Sequence, residues 1–109
     1  MPNGVTAERI ARNDAVFRAA NEGIRDAALR YDVRERVPFV CECAEERCTE
    51  ILRVSLDEYE RVRAHPTRFL HAPGHEEPHT RVVAEEDGYV VVEKLGAAAD
   101  VARETDPRS

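Results

Sequence analysis

The sequence predicts an α+β fold: a long N-terminal helix followed by a small domain of β-hairpins and one short helix. Three observations predict it. Ile10, Phe17, Ile24 and Tyr31 recur every seven residues, short apolar runs bounded by turn residues follow, and all three cysteines fall within Cys41-Glu42-Cys43-Ala44-Glu45-Glu46-Arg47-Cys48. The boundaries expected are a flexible start over 1–5, the long helix over 6–31, the cysteine-bearing α+β domain over 37–95 and a tail over 96–109.

The helix begins after Thr6, a suitable N-cap, with Glu8 in its first turn. Ala20 and Ala27 fill the stripe between the larger residues, Val16 and Ala28 flank it, and charged residues cover the remainder. Gly23 costs about 1 kcal/mol relative to Ala inside a helix. At 1.5 Å per residue the element reaches about 38 Å, long for its partner domain. A heptad stripe suits pairing with a second copy, so residues 7–31 are a candidate homodimerisation element.

Val37 to Val40 reads as a strand start or edge because of Pro38. Thr49 to Val54 returns from the cysteine loop, giving a hairpin with the loop at its tip. Ser55 with Glu58 forms a capping-box pattern, and Leu56, Tyr59 and Val62 mark the buried face of a short helix that ends before Pro66. Arg68 to His71 leads into a Pro73-Gly74 turn. Thr80 to Glu86 and Tyr89 to Lys94 form the clearest hairpin, joined by Asp87-Gly88. Four consecutive apolar residues from Tyr89 to Val92 predict a strand buried on both faces. Residues 97–102 suit a short helix, and residues 104–109 a mobile tail.

The spacing C-x-C-x4-C supplies three thiolates from one loop, and zinc in a structural site takes four ligands from thiolate and imidazole. The fourth ligand is expected from the histidines. His75 ranks first because the Pro-Gly turn aims it, His71 and His79 are alternatives, and His65 ranks last beside Pro66. Glu76 is placed to hydrogen-bond behind a ligand. A Cys41–Cys48 disulfide with one spare thiol, unligated buried thiols and a Cys3His iron–sulfur cluster are the competing readings. The spacing matches no usual ferredoxin pattern, and no signal-peptide pattern opens the chain, so a cytoplasmic, reducing location is expected.

With 109 residues, three Phe, three Tyr and no Trp, the chain buries a modest core that a metal would compensate. No apolar run reaches the roughly 20 residues a membrane span needs. The net charge of −6 is uneven: seven Arg against six acidic residues give +1 over residues 1–40, and nine basic against sixteen acidic residues give −7 over 41–109. A nucleic-acid reader shows a basic footprint, so the acidic cysteine-bearing part points away from nucleic acid.

Residues 12–22, the cysteine loop, residues 57–63, Pro73-Gly74-His75-Glu76 and residues 91–94 together resemble a family of small, mostly actinobacterial proteins with a CxCx4C loop and a PGHE turn. The resemblance spans nearly the whole chain. It implies that the two halves belong together and that Cys41, Cys43, Cys48 and His75 match metal-type residues, and it implies no activity. The cysteine loop alone is similar to the short zinc loop that follows the SET domain of protein methyltransferases. That likeness spans eight residues and supports zinc for the spacing only.

The function expected is a non-enzymatic, zinc-stabilised protein-interaction or regulatory module. The alternatives are a DNA-binding regulator using Arg9, Arg12, Arg18 and Arg25 of the helix, a zinc-dependent hydrolase with Glu76 as base, and a redox or metal sensor that releases zinc on thiol oxidation. The helix arginines are interleaved with Asp14, Glu22 and Asp26, which favours salt-bridged solubility. The H-E-x-x-H and H-x-E…P-C-x-x-C signatures are absent. Glu42, Glu45 and Glu46 would raise the thiol pKa values, against a reactive cysteine.

Overall fold

The computed structural model describes residues 7–108 apart from 44 and 46. The flexible start over 1–5 and the Thr6 cap therefore lie outside the described residues. The elements run α1 (Ala7–Arg30), β1 (Val37–Val40), β2 (Ile51–Val54), α2 (Leu56–Arg63), β3 (Arg68–His71), β4 (Thr80–Glu86), β5 (Tyr89–Lys94) and α3 (Gly96–Glu104). The fold is α+β, as expected.

Two antiparallel sheets form. β1 pairs with β2, Val37 opposite Val54 and Val40 opposite Ile51. The second sheet has the order β3-β5-β4. β5 is central, so Tyr89 to Val92 are all buried, which is why that strand is apolar without alternation. β4 is an edge with a register shift between Val82 and Ala84. Bulges of this kind blunt edge pairing.

The main core lies between the sheets and α2. Phe39 of β1 stacks on Tyr59 of α2, with ring centroids 4.2 Å apart and planes within 9°. Leu52, Val54, Leu56, Leu70 and Val91 surround them, and Cys41 and Cys43 belong to the same cluster. α2 starts as its capping box predicts: Ser55 Oγ accepts from Glu58 N–H at 3.1 Å. The Glu58 carboxylate returns to the Ser55 hydroxyl and also accepts from Tyr89 OH at 2.8 Å.

The helix α1 buries a different face from the apolar stripe that its sequence suggests. Ile10, Phe17 and Ile24 are only half-buried, while Val16 and Tyr31 are 65% and 73% exposed. The buried seam is offset to Ala11, Asp14, Arg18, Asn21 and Ala28, which keeps the helical 3–4 spacing with polar groups at its centre. Each polar group has a specific tertiary partner. Asp14 pairs with Lys94 of β5. The Arg18 guanidinium donates to the carbonyls of Pro66 and Ala102 at 2.5 and 2.8 Å and lies 4.4 Å above the Phe69 ring. Asn21 exchanges two hydrogen bonds with the Val40 backbone, both 2.8 Å, as a neighbouring strand would.

The short helix expected over 97–102 is present as α3, and residues 96–108 pack on the rest of the chain. The helix α3 buries Ala98 and Val101 against Ala11, and Ala102 against Phe69 and Val92. Asp106 pairs with buried Arg63 at 2.5 Å, and Arg108 bridges Glu22 and Glu60.

Candidate metal centre

The cysteine loop leaves β1 with a local alternation that separates two jobs. Cys41 and Cys43 present sulfur to one side, and Glu42 between them points to the other. Glu42 is 1% exposed. Its Oε1 accepts from Leu70 N–H at 2.8 Å, its Oε2 accepts from Asn21 Nδ2 at 2.7 Å, and its own N–H donates to the Leu70 carbonyl at 2.8 Å. This residue fastens the loop to β3 and to α1 at once. Burial pushes its carboxyl up to about 7, against the hydrogen bonds from Asn21 and Leu70. Sequence reasoning took Glu42 as one of several acidic residues around the thiols. Its period-2 position between two cysteines was the signal that it faces away from them.

His75 arrives from a turn whose chemistry is legible in Ala72-Pro73-Gly74-His75. His75 N–H donates to the Ala72 carbonyl at 3.1 Å, and Gly74 holds φ of +85°. Pro at the second position and a positive-φ Gly at the third define a type II turn. Glu76 Oε2 accepts from Gly74 N–H at 2.9 Å and so braces the turn that carries the imidazole.

The four side chains converge. Cys41, Cys43, Cys48 and His75 each offer one ligand atom, and these atoms lie within 4.8 Å of one another. His75 Nδ1 stands 3.8, 3.6 and 3.5 Å from the sulfurs of Cys41, Cys43 and Cys48. A tetrahedral zinc with bonds of about 2.3 Å to sulfur and about 2.0 Å to nitrogen sets sulfur and nitrogen about 3.5 Å apart. The donor set and the sulfur-to-nitrogen spacing therefore fit a tetrahedral ion. Ala72 N–H donates to Cys41 Sγ at 3.1 Å, the kind of bond that orients a thiolate ligand. Burial pushes the Cys41 and Cys43 thiols up, so ion binding has to displace their protons.

The other ranked residues have different positions. His71 is fully buried and points away from the thiols; its Nδ1 lies 3.0 Å from the His75 carbonyl. Burial drives His71 down to about 4, so its ring is neutral. His79 is exposed with φ of +64°, and its carbonyl accepts from Leu95 N–H. The recess beside the cluster is lined by Cys43, Glu45, Gly74, His75, Glu76 and Glu77, an acidic rim. The helix arginines are partly committed inside the chain: Arg18 is buried, and Arg25 pairs with Asp26 and Glu60. Among the described residues no helix is long and apolar enough to cross a membrane.

Comparison of the chain with protein-family models, with curated proteins and with solved structures finds no match, so the chemistry of the site rests on its own residues and their geometry.

Proposed function

We propose that Cys41, Cys43, Cys48 and His75 hold one zinc ion in a closed structural site, and that the chain is a non-enzymatic interaction or regulatory module built around it. The observation that carries this reading is the set of three sulfur-to-Nδ1 separations between 3.5 and 3.8 Å. Four protein donors complete a tetrahedron, whereas a catalytic zinc keeps one position for water. Glu76, the base a hydrolase would need, is engaged with the Gly74 amide. Three thiolates suit a reducing compartment, which supports a cytoplasmic setting.

The partner in this reading is another protein. The acidic balance of residues 41–109 repels a phosphate backbone, and Arg18 and Arg25 of the helix serve internal bonds. Metal content of purified protein, measured by native mass spectrometry beside a His75→Ala sample, tests the site. The expected result is zinc in the wild type, one equivalent fewer in the variant, and a lower thermal midpoint. Equal zinc in both samples overturns the Cys3His assignment.

A further inference from the structure

A second group of ligand-type side chains lies beneath α1. Asp14 of α1, His71 of β3 and Glu77 of the segment before β4 each place one donor atom so that the three atoms lie within 4.8 Å of one another. Asp14 and His71 are both 0% exposed. Lys94, the only lysine in the sequence, is buried beside them and donates to Asp14 Oδ2 and, at 2.9 Å, to Glu77 Oε1. Two carboxylates, one ammonium and one imidazole thus meet in one place.

Two atoms of the group have no hydrogen-bond partner, Asp14 Oδ1 and His71 Nε2. The nature of the second follows from its ring. His71 Nδ1 faces the His75 carbonyl, which only accepts, so the ring proton sits on Nδ1 and Nε2 presents a lone pair. His71 Nε2 is therefore an acceptor, and so is Asp14 Oδ1 when its carboxyl is ionised. Acceptors gathered in one buried place cannot satisfy each other; they call for a donor or a cation.

We propose that Asp14, His71 and Glu77 form a second divalent-cation site, of the zinc class, distinct from the cysteine cluster. One imidazole nitrogen with two carboxylate oxygens is a donor set for zinc, cobalt or manganese rather than for a thiolate-seeking ion. His71 Nε2 and Glu77 Oε1 are 3.9 Å apart, against about 3.4 Å for nitrogen and oxygen ligands on tetrahedral zinc, so this pair closes by about half an ångström to share an ion. Asp14 divides its oxygens, Oδ2 to Lys94 and Oδ1 to the ion. The ammonium repels the ion and weakens the site. A proton is the competing neutraliser, since burial and the hydrogen bond with Glu77 push Asp14 up to about 9. A proton meets one lone pair, whereas an ion meets three. An ion here ties α1, β3 and the segment before β4 together, locking the long helix to the cysteine-bearing half.

The proposal requires nothing of the cysteine cluster, and a cobalt(II) titration of the full chain separates the two. Cobalt on three thiolates gives a sulfur-to-metal charge-transfer band; cobalt on nitrogen and oxygen gives only weak d–d absorption. The wild type is expected to take two equivalents, one with the thiolate band and one without. Asp14→Asn and His71→Gln are expected to keep the thiolate band and to lose affinity for the second ion by at least about tenfold; Gln still donates to the His75 carbonyl. Lys94→Met is expected to bind the second ion more tightly. A single equivalent in the wild type overturns the proposal, and so does a second equivalent that both ligand variants retain. Loss of the thiolate band with the weak bands intact sinks the Cys3His reading alone.

Discussion

Glu42 fastens the cysteine loop, because it satisfies donors from two other elements while its neighbours face the metal position. Glu42→Ala strips the acceptor from the Leu70 amide and the Asn21 side chain and leaves both buried. The expected cost is about 2 kcal/mol or more, read from urea unfolding, with weaker metal retention in the same sample. Arg63 is a comparable case in the interior. It is 3% exposed and pairs with Asp106 and Glu22. Removing one partner of a buried ion pair costs about 3–5 kcal/mol, so Arg63→Ala is expected to unfold at markedly lower denaturant. An Arg in a helix's last turn reads from sequence as a surface charge. Its distant partners, Asp106 and Glu22, make it an interior residue.

At the scale of elements, local chemistry decides more, and the sequence shows it. The Ser55 cap, the Asp87-Gly88 hairpin and the Pro73-Gly74 turn are all where their residues predict. Gly74→Ala tests the turn cleanly: a Cβ there meets no atom within 4 Å, so the whole effect is the φ of +85°. The expected loss is about 1–2 kcal/mol of stability, together with reduced metal affinity because this turn aims His75. Ser55→Ala removes the side-chain acceptor for Glu58 N–H and is expected to cost about 1 kcal/mol without touching the metal. For α1, element existence was legible and its buried face was not. Two stripes one residue apart share the same seven-residue recurrence. The apolar one was the natural choice, yet the polar one is buried because Val40, Pro66, Ala102 and Lys94 supply partners from residues far along the chain.

Across the whole molecule the C-terminal segment acts as a strap. Asp106 and Arg108 join α1 and α2 through Arg63, Glu22 and Glu60. Hydrogen bonds from Arg108 lead in holding the Glu60 carboxyl below its usual value. For Glu22, burial acts upward, but Arg108 and Tyr59 outweigh it. Carboxyls with depressed folded-state pKa values stabilise fully above their unfolded values, about 4. That stabilisation is lost as pH falls through the lower folded values. Glu60 is 40% exposed, so solvent screens much of its share. Deleting residues 106–109 is expected to lower stability at pH 7 and to shrink the difference between pH 7 and pH 3, measured as urea midpoints along a pH series.

What the sequence determined by itself is whatever neighbouring residues decide together: the order of elements, the turns, the cap, the doubly buried β5 and the histidine best placed to meet the thiols. Those features depend on backbone dihedrals and local hydrogen bonds, which a few adjacent residues set. What only the tertiary structure decided is the fate of the polar groups. Asp14, Arg18, Asn21, Glu42, Arg63 and Lys94 read as surface residues because charge is costly to bury alone. They are interior because each finds a partner from elsewhere in the chain, 80 residues away for Asp14 and Lys94 and 84 for Arg18 and Ala102. The same long-range meeting makes residues 96–108 part of the domain, and it gathers Asp14, His71 and Glu77, which no local spacing connects.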